Sequence, residues 1–293
     1  MTVAIGAPSE TRFELSDVTL TALTWGPQDG PPLLLLHGYP DTAWTWRHLG
    51  PELGALGWRA VAPFMRGYGP SGFASDGCYQ VGALAKDVLE LADALDRDRP
   101  AVLIGHDWGA IAASAAAAAA PARIESLVTL AVPPIGPLLF SSWPLRNWRT
   151  MARQLRQSWY VFFQQLPIVS ERALDRVIPK LWRDWSPGYD ATFDLGQFWT
   201  SLDTPARRSA ALRYYRALLN PLYMRPRHFA RQRGWSQRPR VRWLGLHGAN
   251  DGCLRSEIGE AAGMDVVSGV GHFLHLEAPA EVNARVVAFV GAA

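Results

Sequence analysis

The residues best placed to do chemistry in this chain are Gly105-His106-Asp107-Trp108-Gly109, where the apolar run Ala101–Gly105 meets an alanine-rich stretch that continues through Ala120. A buried strand that turns sharply into a helix would hold the central side chain at the end of a sheet, and glycines on both sides would let neighbouring backbone approach. The helix start would also offer backbone N–H groups to a developing oxyanion. A carboxylate in that position is a nucleophile able to form an alkyl ester with an electrophilic carbon. No G-x-S-x-G turn occurs elsewhere in the chain. The plainer reading of Asp107 is an N-cap for the following helix, and the pentapeptide alone does not choose between the two.

Two later segments supply partners. Leu244-Gly245-Leu246-His247-Gly248-Ala249-Asn250-Asp251 reads as a strand end delivering an acid, and Ser268-Gly269-Val270-Gly271-His272-Phe273 as a glycine-rich loop delivering a histidine. Histidine is a base poised near neutrality, and an acid behind it orients the ring and stabilises the imidazolium. His275 competes for the base role, but it sits between Leu274 and Leu276 in an apolar turn and reads better as a packing or capping residue. His37, His106 and His247 each adjoin a strand end and read as structural hydrogen-bonding groups. The segment after Ile124–Val132 contains no acid, which leaves Asp251 with little competition.

These residues need a scaffold. Strand-like segments at 12–25, 32–36, 58–63, 101–105 and 124–132 alternate with helical patterns at 43–56, 81–95 and 106–120. That alternation predicts βαβ units and a parallel sheet. It stops at Pro133-Pro134 and resumes with strands at 241–247 and 264–268 and a helix near 279–289. The expected organisation is therefore an α/β core, residues 1–134 and 229–293, split by a helical insertion at 135–228. The length of 293 residues and a hydrophobic share of 48% suit such a core. Residues 146–242 hold 19 of the 29 Lys+Arg against six acids, within a net charge of +3. With no continuous patch or reader motif, these read as solvated arginines on an aromatic-lined helical unit, not as a nucleic-acid surface. Two cysteines, Cys78 and Cys253, make no disulfide framework. No signal-peptide pattern and no apolar run near the roughly 20 residues of a membrane span are evident, so a cytoplasmic protein without a membrane span is expected.

Taken together, the motifs resemble the epoxide hydrolase and haloalkane dehalogenase branch of the α/β-hydrolases, most of all the epoxide hydrolases. The resemblance runs over essentially the whole chain. His37-Gly38-Tyr39-Pro40 is similar to that branch's H-G-x-P motif, Arg66-Gly67-Tyr68-Gly69-Pro70-Ser71 to its R-G-Y-G-x-S loop, and Gly105–Gly109 to its nucleophile turn. The resemblance implies an α/β-hydrolase fold with a helical cap, Asp107, Asp251 and His272 as the catalytic set, and oxyanion donors from the backbones of Tyr39 and Trp108. It also allows a cis Tyr39–Pro40 bond. Ser158–Phe163 and Arg213–Arg216 resemble the two segments whose tyrosines hold an epoxide oxygen, which picks Tyr160 and Tyr215, with Tyr214 as the fallback for the latter. Trp159, Phe162, Phe163 and Trp199 would line an apolar pocket. The implied reaction opens a small apolar epoxide to a vicinal diol with water, without metal or cofactor. Two other readings stay open. One is a haloalkane dehalogenase with the Trp108 indole on the halide, although that group usually carries Asn where Tyr39 stands. The other is a hydrolase-fold binding protein without turnover. Oligomeric state has no signal in the sequence.

Overall fold

The computed structural model describes residues 6–134, 136–139, 141–232, 234, 237–238 and 240–293. Its centre is an eight-stranded sheet formed by β1 (Ser9–Glu14), β2 (Thr19–Trp25), β3 (Pro32–Leu36), β4 (Arg59–Pro63), β5 (Ala101–His106), β6 (Ile124–Leu130), β7 (Arg242–Gly248) and β8 (Asp265–Val267). The order is β1-β2-β4-β3-β5-β6-β7-β8. β1 and β2 pair antiparallel, as do β2 and β4, and every pairing from β4 to β8 is parallel. Both β3 and β5 are buried along their whole length. Continuous apolar runs are what central parallel strands covered on both faces require.

The helices α1 (Leu49–Ala55), α2 (Val81–Leu95) and α3 (Trp108–Ala119) follow the strands. α2 matches the span its apolar spacing predicts. In α3 a run of alanines lets the helix pack closely on the sheet, and nine of its residues are buried. The predicted helix at 43–56 is instead two pieces, a 3₁₀ turn at Ala43–Trp46 and then α1. Pro51 explains the break. It has no N–H, and its ring would clash with the carbonyl of residue 47 in a continuous helix, whereas it is tolerated in the first turn of α1.

Between β6 and β7 the described residues contain helices and no strand: α4 (Gly136–Leu139), α5 (Trp143–Arg146), α6 (Trp148–Gln157), α7 (Trp159–Phe163), α8 (Val169–Trp185), α9 (Thr192–Ser201), α10 (Pro205–Leu219) and α11 (Phe229–Gln232). After β7 come α12 (Ser256–Ala262), α13 (Leu274–Glu277) and α14 (Pro279–Val290). α8 buries Leu174, Val177, Ile178, Leu181, Trp182 and Trp185, a single helical stripe. That stripe lies over the loops at the sheet's C-terminal edge: the Trp182 indole donates to the Pro40 carbonyl at 3.1 Å and its ring stacks on Phe273 at 3.5 Å. Several arginines of the insertion are internal struts. Arg216 pairs with Glu171 at 2.7 Å, and Arg207 and Arg208 lie over the rings of Phe73 and Trp199. Among the described residues no helix is long and apolar enough to cross a membrane.

Candidate active site

Asp107 stands between β5 and α3 with φ +50° and ψ −115°, a conformation that L-residues rarely adopt. It occupies the N-cap position without making a side-chain cap bond. The turn is possible because Gly109 has no side chain: a Cβ there would fall 2.0 Å from the Leu36 carbonyl oxygen of β3. The strain therefore holds the carboxylate off the helix and over the edge of the sheet.

Its Oδ1 accepts the backbone N–H of Tyr39 at 2.8 Å. Trp108 opens α3 directly after it, so the Trp108 N–H is among the donors that a helix start leaves without an intrahelical partner. The Tyr39–Pro40 bond is cis. His272 Nε2 lies 3.7 Å from Asp107 Oδ2, and His272 Nδ1 lies 2.9 Å from Asp251 Oδ2. Asp251 is fixed in turn, its Oδ1 accepting the N–H groups of Cys253 at 2.6 Å and Leu254 at 3.1 Å. Asp107, Asp251 and His272, which come from three distant segments, thus meet in one buried line.

Charge state follows from position. Burial works against the imidazolium of His272, but the carboxylates of Asp251 and Asp107 outweigh it and push its pKa up to about 10. Burial also works against the Asp107 carboxylate, and the His272 ring 3.7 Å away, charged as an imidazolium, holds its pKa below the usual value. The surrounding imidazoles go the other way: burial takes His37 down to about 4 and His106 to about 3, and His275 well below its usual value. His275 is occupied elsewhere, its Nε2 paired with Thr45 Oγ1 at 2.6 Å and its ring stacked on Trp46. His106 Nε2 meets the His272 carbonyl at 3.1 Å and His247 Nε2 the Leu254 carbonyl at 3.1 Å, as structural groups do.

The insertion closes the site with aromatic rings. Tyr160 and Tyr215 lie edge to face with centroids 5.7 Å apart, and Tyr215 also meets Trp108 and Tyr39, each at 5.1 Å. The Tyr215 hydroxyl is buried without a partner, whereas the Tyr214 hydroxyl donates to the Arg66 carbonyl at 2.8 Å. Burial, reinforced by nearby charges and phenols, raises the pKa of both Tyr160 and Tyr215 well above that of a free phenol. Both remain proton donors.

The four residues expected to line a pocket fall less centrally. Trp159 and Phe163 are half-buried and pack on each other at 5.9 Å, with Trp159 also edge-on to Tyr160 at 6.4 Å. Phe162 is exposed. Trp199 packs on Phe198 and lies under the Arg208 guanidinium, and it is Phe198 that meets the Tyr39 ring, at 6.1 Å. Three further residues belong to the site without having been singled out in the sequence. Trp185 packs against both Tyr160 and His272 at 4.9 Å. Gln164 donates to the Tyr39 hydroxyl at 2.9 Å. Cys253 Sγ lies 3.2 Å from the Tyr160 hydroxyl. Among the described residues, three groups of side chains could share an ion: Asp41–His106–His275, Asp76–Cys78–His228 and Asp107–Cys253–His272.

Comparison with known proteins agrees with this architecture. The profile of a family described as alpha/beta hydrolase fold matches residues 31–279. An epoxide hydrolase of Caballeronia sordidicola is 44% identical over 105 residues, which is 36% of this chain and 32% of that protein. Epoxide hydrolase A of Mycobacterium tuberculosis is 35% identical over 130 residues, 44% of this chain and 40% of that protein. The chain thus matches well under half the length of either relative. Over nearly its full length it is similar to the crystal structure of a candidate epoxide hydrolase from Klebsiella pneumoniae subsp. pneumoniae, with a TM-score of 0.79, 27% identity, and coverage of 98% of this chain and 99% of that one.

Proposed function

The chain belongs to the alpha/beta hydrolase fold family, and from that premise we propose that it hydrolyses small apolar epoxides to vicinal diols through an ester on Asp107. The observation that carries this reading is the pair of protonated, buried phenols, Tyr160 and Tyr215, on the same space as the Asp107 carboxylate. An epoxide's leaving group is a strongly basic alkoxide, which needs an acid at the oxygen. A halide does not. The free hydroxyl of Tyr215 favours it over Tyr214 as the second donor.

In this mechanism Asp107 attacks a ring carbon, the C–O bond breaks, and a phenol gives its proton to the departing oxygen. Esterification removes the Asp107 charge, and with it part of the field that keeps His272 protonated. The imidazolium can then return the phenol's proton and become a neutral base. His272, oriented by Asp251, next takes a proton from water as the hydroxide adds to the ester carbonyl. The N–H groups of Tyr39 and Trp108 hold the resulting oxyanion. Collapse expels the product alkoxide, which takes the proton back from His272 to complete the diol. The Asp107 carboxyl, left protonated by the added hydroxide, then passes its proton to His272. That restores the resting pair, and the net reaction adds one water. Residues 135–228 act as the cap that excludes bulk water, and Trp159, Phe163 and Trp199 contribute apolar surface at its margin. No cofactor takes part, and a cytoplasmic setting suits two unpaired, buried cysteines.

A single turnover in H₂¹⁸O with enzyme in excess tests the covalent step. The first diol should carry mostly ¹⁶O, drawn from the Asp107 carboxylate. Full solvent label in that diol would mean direct attack by water, and the ester mechanism would be abandoned.

A further inference from the structure

The site contains a nucleophile that the proposed reaction does not use. The Cys253 sulfur sits under the Tyr160 hydroxyl, and the ligand atoms of Cys253, Asp107 and His272 all lie within 4.8 Å of one another, every one of them buried. His272 Nε2 is wholly buried and lacks a hydrogen-bond partner. Its 3.7 Å separation from Asp107 Oδ2 is close to the roughly 3.3–3.6 Å between two ligands of one tetrahedral zinc ion. We infer that Asp107, Cys253 and His272 form a binding site for a thiophilic divalent cation of the Zn²⁺ and Cd²⁺ class, and that the bound ion switches the enzyme off. The inference deepens the reading above, since it gives a second use to Asp107 and His272.

One sulfur, one imidazole nitrogen and one carboxylate oxygen are a donor set that these ions favour over Mg²⁺ or Ca²⁺, which take oxygen ligands. Binding requires small shifts of the Cys253 and His272 side chains toward the Asp107 carboxylate. The thiol and the imidazolium each give one proton to solvent as the metal–sulfur and metal–nitrogen bonds form. No redox change is involved. An ion so placed occupies the nucleophile and the base together, so neither ester formation nor ester hydrolysis can proceed, and it excludes the substrate.

The other two clusters are poorer hosts. Asp76 already serves Arg227 at 2.6 Å, His228 at 2.9 Å and the Cys78 backbone N–H at 3.0 Å, with Arg66 a further 3.7 Å away. A cation there would face two guanidinium groups. Asp41, His106 and His275 offer no sulfur.

Titration of the metal-free protein with Cd²⁺ tests this directly, because the thiolate-to-cadmium charge-transfer absorption reports sulfur ligation whether or not the protein turns anything over. The expected result is one Cd²⁺ per chain with that band present, displaced by Zn²⁺ and accompanied by loss of epoxide hydrolysis. Cys253→Ser and Cys253→Ala should both remove the band and weaken binding by more than about 100-fold, beyond the 10- to 100-fold typical of losing a mere supporting contact. His272→Gln should weaken binding while keeping the band, and Cys78→Ser should change neither. A band that survives both Cys253 substitutions but disappears in Cys78→Ser would overturn the proposal, as would a wild-type protein that shows no band. Cd²⁺ bound through Cys253 in a protein that hydrolyses no epoxide would keep the cation site and refute the reaction.

Discussion

Two adjacent tyrosines at positions 214 and 215 have different fates because neighbouring residues on a helix point about 100° apart. One hydroxyl is spent on the Arg66 carbonyl and the other is buried without a partner, within reach of the Asp107 charge. If Tyr160 and Tyr215 share the acid role, Tyr160→Phe or Tyr215→Phe should each slow ester formation by roughly 10²–10⁴-fold, the usual span for general acid catalysis. The double variant should be nearly inert, with energies that do not add because both phenols act on one oxygen. Stopped-flow measurement of the alkylation phase checks this. A double variant within about threefold of wild type, too small a loss for general acid catalysis, would turn attention to Trp108 and a halide. Some of the site was legible from residues alone. Asp107 announces itself by its flanking glycines after an apolar run, and His272 by a glycine loop late in the chain. Cys253 carried no such signal, since a lone cysteine belongs to no periodic pattern, and neither Trp185 nor Phe198 can be told from its aromatic neighbours until the helix is docked.

At the level of elements, the sheet was readable because β3 and β5 are continuous apolar runs and α2 keeps a clear helical spacing. The break at Pro51 was there to be read in the residue type but was masked by an otherwise helical pattern. What the sequence does not disclose is how α8 meets the catalytic loops. A Cβ on Gly252 would fall 1.9 Å from the Asp184 carbonyl oxygen. Backbone on both sides leaves little room to yield, so Gly252→Ala must push the Asp251–Cys253 turn away from the end of α8. Overpacking of this kind costs about 1–3 kcal/mol of stability. A displacement near 1 Å at a catalytic group costs on the order of 10²-fold in rate. We expect kcat to fall by about that factor while the urea midpoint drops only modestly. An unchanged kcat would mean that the turn tolerates the shift and that its fit to α8 does not position Asp251.

For the molecule as a whole, the buried carboxylate–imidazolium–carboxylate line should leave a mark on stability against pH. The His272 pKa is about 10 in the folded state, against roughly 6.5 when unfolded. A raised pKa contributes stability that is fully present below about 6.5 and is lost as pH climbs toward 10. The depressed pKa of Asp107 works in the opposite direction, contributing above its unfolded value near 3.8 and fading in acid. The advantage of wild type over His272→Gln in chemical denaturation should therefore be largest at about pH 5–6 and shrink steadily by pH 9–10. An advantage that stays level or grows over that range would show that His272 is neutral in the resting protein.

The carbonyl of Trp185, the last residue of α8, accepts the backbone N–H of His272 at 2.9 Å and that of Gly252 at 3.3 Å. One oxygen atom of the insertion thereby fastens both the loop that carries His272 and the turn that carries Asp251. A hinged door cannot swing at the point where it is bolted to its frame. Swinging the Trp185 end away would break both of these hydrogen bonds at once and loosen the segments of His272 and of Asp251 together.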